Sequence, residues 1–150
     1  MADFRFPVDV DWLGGKRTVA MVEGKQPIGI ATPPEFKGTH PEVWSPEDFL
    51  VAAAASCYAV TLDALAARAG VPLQAVSVHG EGVVGFREAL PFGFKLVTLD
   101  VELQTEPGHE DAAAELAHKA EESCLVSLAL SVPVELRLAV TTGEAAAAGV

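Results

Sequence analysis

An α+β fold is predicted by three features of the sequence. Apolar residues alternate with polar ones in several separate stretches, one long apolar run is bracketed by helix start and stop signals, and an amphipathic helical stretch comes late in the chain. The expected order is three strands, a long helix buried on most sides, two strands, a helix with a short continuation, and a last strand.

Each element has its own local reason. Phe4, Phe6, Val8, Val10 and Trp12 alternate with Arg5, Pro7, Asp9 and Asp11, the period of a half-buried strand. Gly14-Gly15 offers a hairpin turn, residues 18–22 return as a second strand, and residues 27–31 form a short third one. The Pro-, Gly- and polar-rich stretch 32–44 reads as a loop. Ser45 is a good N-cap for the long helix, with Pro46 at its first position and Glu47-Asp48 in its first turn, where acidic side chains meet unsatisfied N–H groups. Gly70 and Pro72 stop that helix at about Ala69. Because the run is apolar nearly all round, it is expected to be covered on most sides. Residues 75–87 and 94–104 are the next two strands, with Pro91 and Gly93 placed in the turn between them. In the second, Val97, Leu99, Val101 and Leu103 face one way and Thr98, Asp100, Glu102 and Gln104 the other. Residues 110–123 form the amphipathic helix, 125–130 add a turn or two, and Val132, Val134, Leu136, Leu138 and Val140 make the last strand. Residues 1–140 read as one domain and 141–150 as a frayed tail.

The composition excludes several classes of function. Of the 150 residues, 50% are hydrophobic and 21% charged, the balance of a folded domain with a core. A net charge of −11 offers no basic stripe to nucleic acid and none to an anionic membrane surface. The start Met1-Ala2-Asp3-Phe4-Arg5 lacks the pattern of a secretory signal, and the longest charge-free apolar run, 49–62, is too short to span a bilayer. A cytoplasmic location is expected, and there two cysteines are expected as thiols rather than as a permanent staple.

Those two cysteines, Cys57 and Cys124, are the candidates for chemistry. Cys57 sits in the middle of the long helix among small residues (Ala53, Ala54, Val60, Thr61), which leaves room for a substrate or another chain. Its own helix offers it no N-terminus, so a reactive thiolate there needs a nearby cation; without one Cys57 is a small buried hydrophobe. Cys124 ends a helix beside Glu121 and Glu122, whose charge disfavours a thiolate and suits it to a resolving or a structural part. Taken singly, Arg17 is a solvated charge at a strand start and Glu47 a helix-dipole residue. His40, His79, His109 and His118 have no metal-ligand spacing, Gly14-Gly15-Lys16-Arg17-Thr18 lacks the spacing of a phosphate loop, and no Ser stands in a G-x-S-x-G elbow.

Together, Ser45-Pro46-Glu47-Asp48-Phe49-Leu50, the Ala-rich run ending in Cys57, Cys124-Leu125-Val126-Ser127, and Thr32-Pro33-Pro34-Glu35-Phe36 resemble the OsmC/Ohr family of osmotically inducible and organic-hydroperoxide-resistance proteins. The resemblance covers roughly residues 8 to 140. It implies an intertwined homodimer with active sites at the dimer interface and a peroxidase that reduces organic hydroperoxides, with hydrogen peroxide as a second candidate substrate. By resemblance Cys57 is the peroxidatic cysteine, Cys124 the resolving one, Glu47 the catalytic glutamate and Arg17 the catalytic arginine, which lowers the thiol pKa and holds the leaving oxygen. No cofactor or metal is implied, only an external dithiol such as a dihydrolipoyl group. Lys37 stands where some members carry the arginine, and Lys37 or Arg87 is next in line as the activating cation. Leu125 and Leu128 depart from the Pro and Asn that many members have there.

The competing reading is a dimer of the same fold that binds a small apolar ligand without catalysis, or one that exchanges disulfides with proteins through an exposed Cys57. The aromatics Trp44, Tyr58, Phe92 and Phe94 are assigned to the core or the dimer interface. Glu47 and Cys57 lie ten positions apart, about 15 Å along one straight helix at roughly 1.5 Å per residue. A shared site is therefore expected from two antiparallel copies of the helix.

Overall fold

The computed structural model describes residues 2–144, which divide between Leu50 and Val51 into two compact units. The first holds an antiparallel sheet of β1 (Asp9–Gly14), β2 (Arg17–Met21) and β3 (Ile28–Ala31), in that order. Gly14 pairs with Arg17, so Gly15 and Lys16 form a two-residue turn with φ of 57° and 62°. Positive φ at both central residues matches the right-handed twist of the strands it joins. Past β3 a short 3₁₀ turn, Pro34–Phe36, ends at Lys37, also at positive φ (61°), whose carbonyl accepts a hydrogen bond from Lys16 Nζ at 3.0 Å.

The first strand begins later than the alternation predicts, and both of its faces are exposed. Val10 is 58% and Trp12 77% accessible, and Phe4 and Phe6 ahead of it are equally bare. The half-buried character expected for this stretch is therefore not met within one chain.

α1 (Pro46–Ala69) starts where the caps place it. Ser45 Oγ accepts from Asp48 N–H at 3.1 Å while Asp48 Oδ2 accepts from Ser45 N–H at 2.8 Å, a reciprocal capping box. At the other end Val71 N–H bonds to Ala66 C=O and Gly70 N–H to Ala67 C=O, with Gly70 at φ 69°; this is the paired bonding of a Schellman stop. Coverage of α1 departs from expectation. Only Ala54, Tyr58, Leu62 and Ala66 are buried, a single stripe at every fourth position, and Val60 is 65% exposed. The 24-residue helix contains an 18-residue window of mean hydropathy 1.7 and is long and apolar enough to cross a bilayer, contrary to the expectation from its charge-free run, a property that core helices of soluble proteins share.

In the second unit, β4 (Leu73–Arg87) and β5 (Leu90–Thr105) form a long antiparallel hairpin, and β6 (Val134–Thr142) adds parallel to β5. A parallel neighbour needs a crossover, which α2 (Glu110–Ser123) and α3 (Leu125–Ala129) supply. The hairpin turns at Glu88-Ala89, where Ala89 has φ 57°, and not at Pro91 and Gly93, which lie within β5. Arg87 Nε donates to Pro91 C=O at 2.9 Å across that turn. β6 runs to Thr142 opposite Thr105, so the strand continues past the expected tail start at 141; residues 145–150 lie outside the described residues.

The core of this unit is the inward row Val97, Leu99, Val101 and Leu103 of β5 with the buried stripe of α1 and Ala113, Ala117 and Ala120 of α2. α1 reaches β4 because Gly80 and Gly82 present no side chain there. A Cβ on Gly82 would stand 2.8 Å from Val51 Cγ2 and 2.6 Å from the Phe94 ring. Val51 is stiff about χ1 and cannot swing aside. Gly82→Ala should therefore cost about 1–3 kcal/mol in urea unfolding; an unchanged midpoint would contradict this packing.

Candidate active site

The packing of α1 on α2 places the first thiol. Tyr58 is fully buried and its hydroxyl donates to the Ala117 carbonyl at 3.1 Å. The Tyr58 side chain thus bridges α1 to the backbone of α2. Burial, and then the negative charge of Glu121, push the Tyr58 hydroxyl up to about 12, so it stays a neutral donor. The raised folded value means this contribution is complete below the unfolded tyrosine value of about 10 and is lost as pH rises towards 12. Tyr58→Phe should cost about 1 kcal/mol at neutral pH and flatten the alkaline fall in thermal stability. An equal alkaline fall in the variant would show that another group controls it.

Cys57, next to Tyr58, is part-exposed at the edge of the buried stripe, whereas Cys124 is fully buried. α2 ends at Ser123, and Cys124 takes an extended backbone before α3 begins. Its sulfur lies 4.0 Å from the Ala54 carbonyl on α1, three residues before Cys57. The two thiols are free and near each other, and Cys124 is among the groups that act on Cys57. Burial pushes the Cys57 thiol up, but hydrogen bonds from the Val126 N–H, the Cys124 thiol, the Leu125 N–H and the Thr61 hydroxyl outweigh it, and the pKa falls below the ordinary thiol value. Its own helix offers Cys57 no N-terminus, and the groups that lower its pKa include the backbone of Leu125 and Val126 from the far end of the chain.

The other two expected residues stand in the first unit. Arg17 opens β2 and is exposed; Glu47 lies in the first turn of α1, where its Oε2 is buried without a hydrogen-bond partner. The ion pairs among the described residues are His40–Glu42 and Arg137–Asp100, so Arg17 and Glu47 are not paired within the chain. Of the two reserve cations, Lys37 is exposed and Arg87 is engaged with Pro91.

Thr61, Leu125 and Val126 as donors to Cys57 were beyond the sequence reading. Thr61 alone had a signal, its i+4 spacing from Cys57, which puts the two on one helix face. A buried Ser127 Oγ without a partner lies in the same first turn of α3. Among the described residues no three or more His, Cys, Asp or Glu side chains gather to hold a metal.

Two thiols near each other, one part-exposed with a lowered pKa and one buried, on a two-sheet α+β scaffold define a small dithiol protein. The chain matches the family of OsmC-like proteins over residues 39–138 and belongs to that family. It is 33% identical to the uncharacterized protein YmaD of Bacillus subtilis over 143 residues, 92% of this chain and 94% of that one. In structure it is similar to an OsmC-like protein of unknown function from Vibrio cholerae, with TM-score 0.82 and 15% identity over 91% of this chain and all (100%) of the other. It is also similar to an organic hydroperoxide resistance protein of Elizabethkingia anophelis, with TM-score 0.75 and 20% identity over 95% and 99% of the two chains. These likenesses bear out the predicted α+β fold of the OsmC/Ohr kind.

Proposed function

We propose that the protein is a cysteine-based peroxidase for organic hydroperoxides, acting in oxidative stress defence in the cytoplasm. The observation that carries this reading is the proximity of a part-exposed Cys57 of lowered pKa to a buried Cys124. The Cys57 thiolate attacks one peroxide oxygen, an S–O bond forms as the O–O bond breaks, and the alkoxide leaves and takes a proton as the alcohol. The Cys124 sulfur then attacks the Cys57 sulfenic acid, a disulfide forms and water leaves. An external dithiol, a dihydrolipoyl group or another low-molecular-weight thiol, restores both thiols by exchange. Burial of Cys124 beside Cys57 suits resolution better than first attack.

Arg17 and Glu47 complete the site as we read it. Arg17 holds the leaving oxygen, and the Glu47 carboxylate orients its guanidinium in a bidentate pair. The buried, partnerless Glu47 Oε2 supports this, because such an atom costs about 1–3 kcal/mol unless a donor reaches it. We assign the missing cover to a second copy in a homodimer. Phe4, Phe6, Val10 and Trp12 of the N-terminal segment and β1 are exposed, as is Val60 on α1, and exposed apolar side chains of this kind are what a second copy would cover.

One equivalent of cumene hydroperoxide should convert both thiols into one intramolecular disulfide, and dithiol-dependent turnover should be faster with cumene or lipid hydroperoxide than with hydrogen peroxide. Thiols that persist after the equivalent is added would favour the non-catalytic dimer. Mixed disulfides with protein partners, without turnover, would favour disulfide exchange.

A further inference from the structure

The turn between β1 and β2 carries a cluster of cations. Positive φ falls on five glycines and on three other described residues, Lys16, Lys37 and Ala89. A Cβ crowds the backbone in that region, where glycine is free. Two of the three exceptions are thus lysines, and they meet: Lys16 Nζ donates to the Lys37 carbonyl at 3.0 Å. Lysine at two strained positions that would suit glycine points to a use for the ammonium groups. Both backbones are fixed. Thr32 N–H bonds to the Lys16 carbonyl at 3.0 Å, and Arg17 pairs with Ala31 in the sheet. Lys37 N–H bonds to the Pro34 carbonyl at 2.9 Å, and a Cβ on Gly38 would run into the Thr32 carbonyl oxygen. The loop 32–38 therefore holds Lys37 against the turn that carries Lys16 and Arg17. Among the described residues, none of these three exposed cations is in an ion pair. A chain of net charge −11 repels anions in general, and a fixed cationic island is where it can accept one. Leu13, just before the turn, and Phe36, just before Lys37, are exposed apolar side chains. Ammonium groups beside apolar surface suit a carboxylate on an apolar chain.

We propose that Lys16 and Lys37 bind the carboxylate of a hydroperoxide that is also a carboxylic acid, so that the protein prefers the acid to its neutral ester. This rests on reading Arg17, the neighbour of Lys16, as the group that holds the leaving oxygen. It adds a second anchor, which fixes the far end of the substrate. The bond from Lys16 to the Lys37 carbonyl orients that ammonium and leaves its other N–H donors for the ligand.

The first test needs no peroxide. It is the binding of linoleate, measured by titration calorimetry below the micelle concentration. The double variant Lys16→Gly, Lys37→Gly is the direct probe, because glycine takes both left-handed positions without strain and the chain loses the two ammonium groups. Its dissociation constant for linoleate should be about fivefold higher than that of the wild type. The double variant Lys16→Arg, Lys37→Arg, which keeps the charge, should bind as the wild type does. If the glycine variant does not fold by circular dichroism, Lys16→Gln with Lys37→Gln decides. In turnover, kcat/KM for linoleic acid hydroperoxide should exceed that for its methyl ester by about fivefold in the wild type, and the ratio should fall to about one in the glycine variant. Added sodium chloride should lower the wild-type ratio. Arg17→Ala should slow acid and ester alike. Equal linoleate binding by the wild type and the folded glycine variant, or a wild-type ratio of one at measurable turnover, would overturn the proposal. Displacement of linoleate by equimolar inorganic phosphate would also overturn it and assign the cluster to phosphate. Lysine-dependent linoleate binding in a chain that turns over neither hydroperoxide would sink the peroxidase reading and leave the carboxylate site standing.

Discussion

Cys57→Ser should abolish turnover of organic hydroperoxide, with a loss on the order of a thousandfold or more. The donors around position 57 favour an anion, but a serine hydroxyl does not ionise near neutral pH, so the nucleophile is gone even if every contact survives. Cys124→Ser should separate the two halves of the cycle. The first oxidation should proceed, since Cys57 keeps its donors from Val126, Leu125 and Thr61. The sulfenic acid then lacks the buried thiol that would capture it and should climb to sulfinic acid at excess peroxide. Mass spectrometry of the two cysteine peptides distinguishes these states. Oxidation of Cys124 ahead of Cys57 in the wild type, or sustained turnover without overoxidation in Cys124→Ser, would reverse the assignment of roles.

Mixed dimers of Glu47→Ala and Cys57→Ser chains should regain activity that neither variant has alone. Glu47 Oε2 is buried with no donor, and Arg17 is exposed and in no ion pair, among the described residues. Two copies of α1 crossing about a two-fold axis would bring the Glu47 end of one towards the Cys57 of the other and would cover faces such as that of Val60, which is exposed in the single chain. In a heterodimer one of the two composite sites keeps both residues. After co-unfolding and refolding in equal amounts, half the dimers are mixed, and activity should return to roughly a quarter of wild type. Confirmed heterodimers without rescue, or a stable active monomer in sedimentation, would refute the composite site.

Much of the fold was legible because its signals are local. Ser45, Pro46 and Asp48 start α1, and Gly70 ends it, through groups within a few residues of one another. The inward row of β5 was legible from its alternation, and the bounds of α2 from its amphipathic period. The hairpin turn was misplaced because Pro91 and Gly93 are the stronger local breakers, yet the register of β4 on β5 puts the reversal at Glu88-Ala89. The half-buried first strand and the nearly covered helix were inferred from apolarity, which shows that a surface needs cover without showing which chain provides it.

The sequence by itself determined the class of fold, the caps, the two thiols and, through the resemblance of their flanking motifs, the family. Only the tertiary structure decided that Cys57 and Cys124 come near each other, that β6 lies parallel to β5, and that backbone groups of Leu125 and Val126 help to lower the Cys57 thiol pKa. The reason is one of range. Caps and periodicity arise between near neighbours, whereas a thiol's ionisation depends on whatever the packing brings within hydrogen-bond reach, and here that is the start of a helix from the far end of the chain.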